Sequence, residues 1–304
     1  MKLELRPARR EDAAGLVDMF ERFGSTYGAD LESAADVETW FDNPGIDLEQ
    51  DTRVAMLDGK VVGYGDASDA ARDGKFVYLD VRSDPTHRKE VEPVLLDFLD
   101  RRARELAAPG GLIKVWAPRN AAKLRALFEA RGYSFDRFSF RLGIDLDREL
   151  PVPEWPAGMS VRTFRRDEDT RLVYDVHQEA FSEERDYFRD PFDEWEHWSF
   201  REPFDPDLWF LAFDGEELAG ICLCRPARGN DPGCGWVQVL GVRKPWRRRG
   251  LGLALLRHSL REFRKRGKRR ASLAVDGASE EALRLYKNAG MAVERTSAWY
   301  RQIA

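Results

Sequence analysis

The sequence predicts a mixed α/β fold built twice: two tandem domains, each a twisted mixed β-sheet with helices on both faces. Three observations carry this. The chain has 304 residues and is 43% hydrophobic, enough for two cores of ordinary domain size. Its segments recur in one order at a spacing of about 156–161 residues, far longer than a solenoid repeat. Between the copies lies LPVPEWPAG, Leu150–Gly158, whose three prolines disfavour regular structure. The expected division is therefore residues 1–149, a linker at 150–158, and residues 159–304.

The elements follow in order. Leu3–Val17 (LELRPARREDAAGLV) matches Met159–Val173 (MSVRTFRRDEDTRLV), each a short alternating strand, a polar break and a helix. Arg53–Gly65 and Trp209–Cys222 each read as strand, Asp-Gly turn, strand, a strong hairpin signal. Phe76–Arg82 and Val237–Arg243 are further strands. Helices follow at Val91–Leu106 and Gly250–Arg266. Each copy then predicts a strand (Leu112–Trp116; Ala271–Val275), a helix (Ala121–Ala130; Glu280–Ala289), a glycine (Gly132; Gly290) and a last strand.

Composition excludes several classes. A net charge of −5 and a pI near 5.6 argue against a dedicated nucleic-acid binder. Cys222, Cys224 and Cys234 are too few and too close for a disulfide framework and suit a reducing compartment. Cys222 and Cys224, two apart in an apolar run, are expected to pack on one strand face. His87, His177, His197 and His258 have no metal-ligand spacing, so no metal is expected. No run reaches the ~20 apolar residues of a membrane helix, and MKLELRPARRED has no apolar signal core. The expectation is a cytoplasmic protein with no membrane partner.

The chemistry-bearing stretch is VRKPWRRRGLGLALLRHSL, Val242–Leu260. Pro245 ends a strand, and a helix begins near Gly250. A helix N-terminus carries unpaired N–H groups and about half a positive charge, which suits phosphate. Gly250 and Gly252 let the backbone approach a pyrophosphate without a Cβ in the way. Arg247, Arg248 and Arg249 add positive field. The competing explanation is an ordinary basic helix that starts with flexible glycines. The dinucleotide fingerprint fails at Leu255, and no P-loop occurs.

Two ordered blocks resemble the GNAT superfamily of acyl-CoA-dependent N-acetyltransferases. The first is Arg247-Arg248-Arg249-Gly250-Leu251-Gly252, followed by Ala254-Leu255, against the family pattern Arg/Gln-x-x-Gly-x-Gly/Ala after the fourth strand. The second is LAVDGASEEALRLYKNAGM, Leu273–Met291, with Leu285-Tyr286 and Gly290-Met291. The resemblance covers residues 155–304 well. The first half shares the element order and keeps the motifs poorly, so the fold expected is two tandem GNAT-like domains. The departures are Ser279 in place of a common Asn and Met291 in place of Phe. Ser279 is still an N-cap type, with Glu280 and Glu281 favouring the helix start.

The resemblance implies acetyl-CoA as cosubstrate. Backbone from Arg248 through Gly250, Leu251, Gly252 and Leu253 to Ala254 would hold its pyrophosphate. The main chain near Leu240 and Val242 would pair with the pantetheine arm. Ser279 and Tyr286 complete the implied cofactor set. An amine of a small molecule or peptide would attack the thioester directly in a ternary complex, and Tyr286 would protonate the leaving thiolate. Positioning and carbonyl polarisation would supply most of the rate. Read from spacing alone, Tyr286 is a core aromatic beside Leu283 and Ala289.

No carboxylate lies in Val237–Val242, where Gln238 is the only polar side chain, so no general base is named. Ser182–Asp207 holds ten acidic residues against three arginines, with Tyr187, Trp195 and Trp198 interleaved; it is an acceptor wall for a cationic amine or a solvated acidic pair. In the first half Glu90 aligns with Gly250, Glu92 with Gly252, Pro93 with Leu253 and Phe128 with Tyr286, while Asn120 sits one residue out of step. This predicts a degenerate first domain and one CoA per chain. The rival is a catalytically silent CoA-binding or interaction module that uses the basic run Arg243–Arg270. Against it, Leu251, Leu255, Leu256, Leu260 and Phe263 make an apolar stripe that forces the arginines outward. Nucleic acid is accordingly disfavoured.

Overall fold

The computed structural model describes residues 3–29 and 32–304. In chain order its first elements are β1 (Leu3–Arg6), α1 (Ala13–Tyr27), α2 (Ala34–Phe41), α3 (Leu48–Asp51), β2 (Thr52–Leu57), β3 (Lys60–Ser68), β4 (Phe76–Ser83), α4 (Arg88–Leu106), β5 (Leu112–Pro118), α5 (Ala122–Ala130) and β6 (Ser134–Asp145). The second series is β7 (Met159–Thr163), α6 (Arg166–Phe181), α7 (Phe192–Ser199), β8 (Trp209–Asp214), β9 (Glu217–Arg225), β10 (Cys234–Val242), α8 (Leu251–Lys265), β11 (Arg270–Asp276), α9 (Glu280–Asn288) and β12 (Ala292–Ile303). The linker 150–158 contains no helix or strand.

Two compact units form. The first comprises Met1–Ser139, Asp193–Ser199 and Arg295–Ala304; the second comprises Phe140–Phe192 and Phe200–Glu294. They are not the two linear halves. In the first unit the strands run β1-β2-β3-β4-β5-β12. All pairs are antiparallel except β4 with β5. The final strand of the chain closes this sheet, with Ser297–Ile303 registered on Leu112–Pro118. In the second unit the order is β7-β8-β9-β10-β11-β6, with β10 and β11 parallel. Residues 140–145 of β6 supply its last strand.

The repeat is visible in atomic detail. Each unit opens with an arginine on its first strand gripping an aspartate two-pronged: Arg6 on Asp12 at 2.7 and 2.6 Å, and Arg162 on Asp169 at 2.6 and 2.7 Å. Each aspartate also accepts a backbone N–H, from Arg9 or Arg165, at 2.8 Å. Each carboxyl is held below its ordinary value: partial burial opposes this, but the arginine and the N–H outweigh it. The Asp-Gly hairpins form as expected, with Asp58 and Gly59 both at positive φ (48° and 81°) and Gly215 at 60°.

The cores are separate. Leu95, Leu96, Leu99, Val115, Phe128 and Tyr300 are among the buried residues of the first. Leu142, Ile144, Phe210, Leu255, Phe263 and Tyr286 lie in that of the second. The apolar stripe expected on α8 is buried at Leu251, Leu255, Leu256, Leu260 and Phe263. Cys222 and Cys224 are buried free thiols with sulfurs 3.6 Å apart, as packing predicts. Among the described residues no helix is long and apolar enough to cross a membrane.

Candidate active site

β10 is the element that makes a site. It pairs parallel with β11 only from Cys234 to Val237, opposite Arg270 to Leu273. Beyond Val237 no strand among the described residues lies beside that edge. On its other edge β10 pairs with β9 throughout, with the register slipping between Val237 and Val239. This is a β-bulge at Gln238, and it flips the side-chain alternation. Val237 belongs to the core under α8 and α9, and so do Leu240 and Val242. Gly241 faces α6 instead: a Cβ there would lie 3.1 Å from Ala180 Cβ and 3.3 Å from Phe181 Cε2. The open stretch of β10 therefore offers main-chain donors and acceptors, with α6 covering one face.

The strand ends at Val242 and passes through a 3₁₀ turn, Lys244–Trp246, into α8. Gly250 is the N-cap, at φ 87° and ψ −5°, and no atom lies within 4 Å of where its Cβ would be. Arg248 also sits at positive φ, 61°, a conformation that costs a non-glycine residue roughly 1–2 kcal/mol. The first helical bond is Ala254 N–H to Gly250 C=O at 3.0 Å. The amides of Leu251, Gly252 and Leu253 precede it and point out of the helix end. Gly252 sits where a Cβ would lie 3.0 Å from Leu285 Cδ1, so its bareness also lets α9 close on α8. Orphan amides, two left-handed residues and an open approach fit a pyrophosphate.

The three arginines divide. Arg247 is committed to protein contacts: its Nε donates to Val242 O at 3.0 Å, Nη2 to Ala180 O at 2.9 Å and Nη1 to Glu183 at 2.7 Å. Lys244 also reaches Glu183, at 2.5 Å, and Arg243 reaches Glu179 at 2.8 Å. Arg248 and Arg249 are exposed, with Arg248 Nε 3.8 Å from Glu281. Much of the rest of the basic run is also occupied internally. Arg257 pairs with Glu154, Arg261 and Arg264 donate to the carbonyls of Leu150 and Arg148, Lys268 to that of Pro232, and Arg266 pairs with Asp205. The charge that reads as a docking face in sequence is largely a set of clamps within the second unit.

Tyr286 stands on α9, 9% exposed, in the second core. Among the described residues its hydroxyl has no hydrogen-bond partner. Burial pushes the phenol above its ordinary value, and Cys222 and Glu184 push the same way. Ser279 holds the N-cap of α9, but its side chain makes no capping bond; Ala278 N–H turns to Asp276 Oδ1 at 2.9 Å instead.

The acidic stretch Ser182–Asp207 does not act as one wall. Residues 193–199, with Trp195 and Trp198, belong to the first unit, where Arg72 pairs with Asp193 at 2.8 Å. The part that stays with the second unit lines a cavity of about 240 Å³, among it His177, Phe181, Glu184, Tyr187 and Asp190. Gln178 organises the wall: its Nε2 donates to Asp190 at 3.0 Å, and its Oε1 accepts from Asp190 N–H at 3.0 Å and from Tyr187 OH at 3.3 Å. Burial pushes Asp190 up and lowers the His177 imidazole to about 4. Sequence reasoning missed the Gln238 bulge, the Glu179–Glu183 clamp and this cavity. The available signal was the acidic end of α6 set against the basic loop Arg243–Arg249.

The first unit differs at the matching places. β4 keeps an unbroken register with β3 from Tyr78 to Ser83. α4 starts at Arg88, with Pro93 inside it. Glu92 is 3% exposed and accepts from Ser83 Oγ at 3.0 Å, so it turns inward. Phe128 is fully buried.

Comparison with known proteins agrees with this geometry. The pattern of the acetyltransferase (GNAT) family matches residues 171–291. The crystal structure of a GCN5-related N-acetyltransferase from Sphaerobacter thermophilus superposes with a TM-score of 0.80 at 28% identity, over 99% of this chain and 95% of that one. A tandem GNAT protein from the clavulanic acid biosynthesis pathway shares the fold, with a TM-score of 0.73 at 17% identity, over 99% and 98% of the two chains. The chain belongs to the GNAT acetyltransferase family and is an acyltransferase. Among its relatives, the mycothiol acetyltransferase of Thermobispora bispora is 30% identical over 236 residues, 75% of this chain and 79% of the relative.

Proposed function

We propose that this enzyme transfers an acetyl group from acetyl-CoA to a primary amine by direct attack in a ternary complex, and that the acceptor is a small-molecule amine of the mycothiol kind. The carrying observation is the continuous path from the open edge of β10, through the left-handed turn at Arg248–Gly250, to the orphan amides of α8. Pantetheine pairs with the main chain near Leu240 and Val242. The pyrophosphate lies on the amides up to Ala254, with Arg248 and Arg249 supplying field; Arg247 shapes the loop rather than meeting phosphate. Tyr286 donates the proton to the departing thiolate. Burial keeps its hydroxyl protonated, and the same dry surroundings favour the thiol over the thiolate. The buried Glu92 and Phe128, with Pro93 inside α4, support a first unit without a working acetyl-CoA site.

Calorimetric titration with acetyl-CoA tests the site: one equivalent per chain is expected, and two equivalents contradict the inactive first unit. Thiol release with de-acetylated mycothiol and an amine panel tests the chemistry. Tyr286→Phe is expected to lower kcat by roughly 10²-fold or more at unchanged acetyl-CoA affinity. An undiminished kcat removes Tyr286 from the mechanism.

A further inference from the structure

An amine acceptor must lose protons, and β10 offers no group to take them: its residues, CGWVQVLGV, include no carboxylate or imidazole. Within the second unit two places carry the titratable side chains to consider: Cys222 in the core, and the wall of the 240 Å³ cavity. Cys222, on β9, is fully buried and walled off by core. The wall of the 240 Å³ cavity carries His177, Asp190 and Asp186. Asp190 is tied to Gln178, Asp186 lies 3.9 Å from Arg185, and His177 is held neutral by burial. The remaining carboxylate is Glu184, which lines the same cavity and is exposed to solvent.

The position of Glu184 is built. Its N–H bonds to Phe181 O at 2.9 Å, continuing the end of α6. The residue before it, Glu183, is gripped by Lys244 and Arg247. Arg247 at the same time holds Ala180 O and Val242 O. Ala180 and Phe181 lie against Gly241 on the open part of β10. The first arginine of the pyrophosphate loop thus fastens the end of α6 to the strand that would carry the thioester arm. The charge of Glu184 is felt at Tyr286.

Resting on the function proposed above, we infer that Glu184 is the proton acceptor for the amine, set in place by the Arg247–Glu183–Lys244 clamp. The acceptor ammonium gives one proton to the Glu184 carboxylate, which passes it to solvent. The freed lone pair forms the C–N bond at the thioester carbonyl, and the C–S bond breaks. The thiolate takes the Tyr286 proton. The second proton leaving nitrogen passes through Glu184 and water to restore Tyr286.

The test uses the full chain, acetyl-CoA, and de-acetylated mycothiol or the best amine of the panel. Glu184→Gln keeps size and removes basicity. It is expected to lower kcat/KM for the amine roughly a hundredfold near neutral pH, to abolish the acid limb of the pH–rate profile, and to leave acetyl-CoA affinity unchanged. Glu184→Asp restores part of the rate and the limb. Glu183→Gln loosens the clamp, raising the amine KM while keeping the limb. If Glu184→Gln retains both the rate and the limb, the proton goes elsewhere and the inference is overturned. If the unmodified enzyme binds no acetyl-CoA, the underlying function fails instead.

Discussion

His177 shows how one buried side chain carries a pH signature. It sits on α6 beside Phe181, ring centroids 5.2 Å apart, where burial lowers its imidazole to about 4 against an unfolded value of about 6.5. As pH falls below 6.5 the unfolded chain takes up a proton that the native chain refuses until about pH 4. Stability contributed by the neutral imidazole is therefore complete above pH 6.5 and declines across that window, by at most roughly 3 kcal/mol. Urea unfolding of the parent and of His177→Asn at pH 7.0 and 5.0 reads this directly. The parent is expected to lose more stability than the variant on acidification; equal losses assign the acid sensitivity to other groups. At the same scale Tyr286 was singled out only through the Leu-Tyr-x-x-x-Gly block, because its helical spacing reads as a core aromatic, and it is buried in the second core. Glu184 was not legible, since an acidic residue in an acidic run carries no mark of the wall it lines.

At the scale of elements, the β10–α8 turn proposed to hold acetyl-CoA contains two glycines that do different things. Gly250 has open space around it but a left-handed φ; Gly252 has an ordinary helical conformation but a neighbour at 3.0 Å. Gly250→Ala should cost about 1–2 kcal/mol through backbone strain alone. Gly252→Ala gains up to about 1 kcal/mol of helix propensity and meets only the flexible end of Leu285, so its stability should change little. Thermal unfolding of the two variants separates conformation from contact, and equal destabilisation contradicts this assignment. The glycines and the helix start were readable because local backbone chemistry decides them. The bulge at Gln238 was not: CGWVQVLGV is apolar nearly throughout, so no alternation marks the slip, and only pairing with β9 reveals the extra residue.

For the whole molecule, the consequence of the chain path is that each unit is closed by a strand from outside its own half. Residues 295–304 complete the first sheet and bury Ala298 and Tyr300 in its core. Residues 140–146 give the second core Leu142, Ile144 and Leu146. Cutting at the linker therefore removes from each half side chains worth on the order of 1.5–3 kcal/mol apiece when large and fully buried, and leaves an open sheet edge. Fragments 1–149 and 159–304 are each expected to unfold with less cooperativity than the intact chain, and chain 1–294 to lose the first unit. Circular dichroism with urea m-values checks this; a fragment 1–149 with a native-like transition refutes it.

The repeat, the order of elements, the irregular segment between the copies, the hairpin turns and the glycine-capped start of α8 were determined by the sequence itself. Each depends on periodicity, turn chemistry or a charge–glycine pattern confined to a short window. Which arginine meets the loop and which the solvent, where β10 and β11 part, which carboxylate lines the cavity beside α6, and which strand closes which sheet were decided only by tertiary structure. Those outcomes depend on partners far away in the chain: Glu183 lies 64 positions from Arg247, and Leu112 pairs with Ile303. Long-range pairing and burial leave no periodic trace in the residues they select.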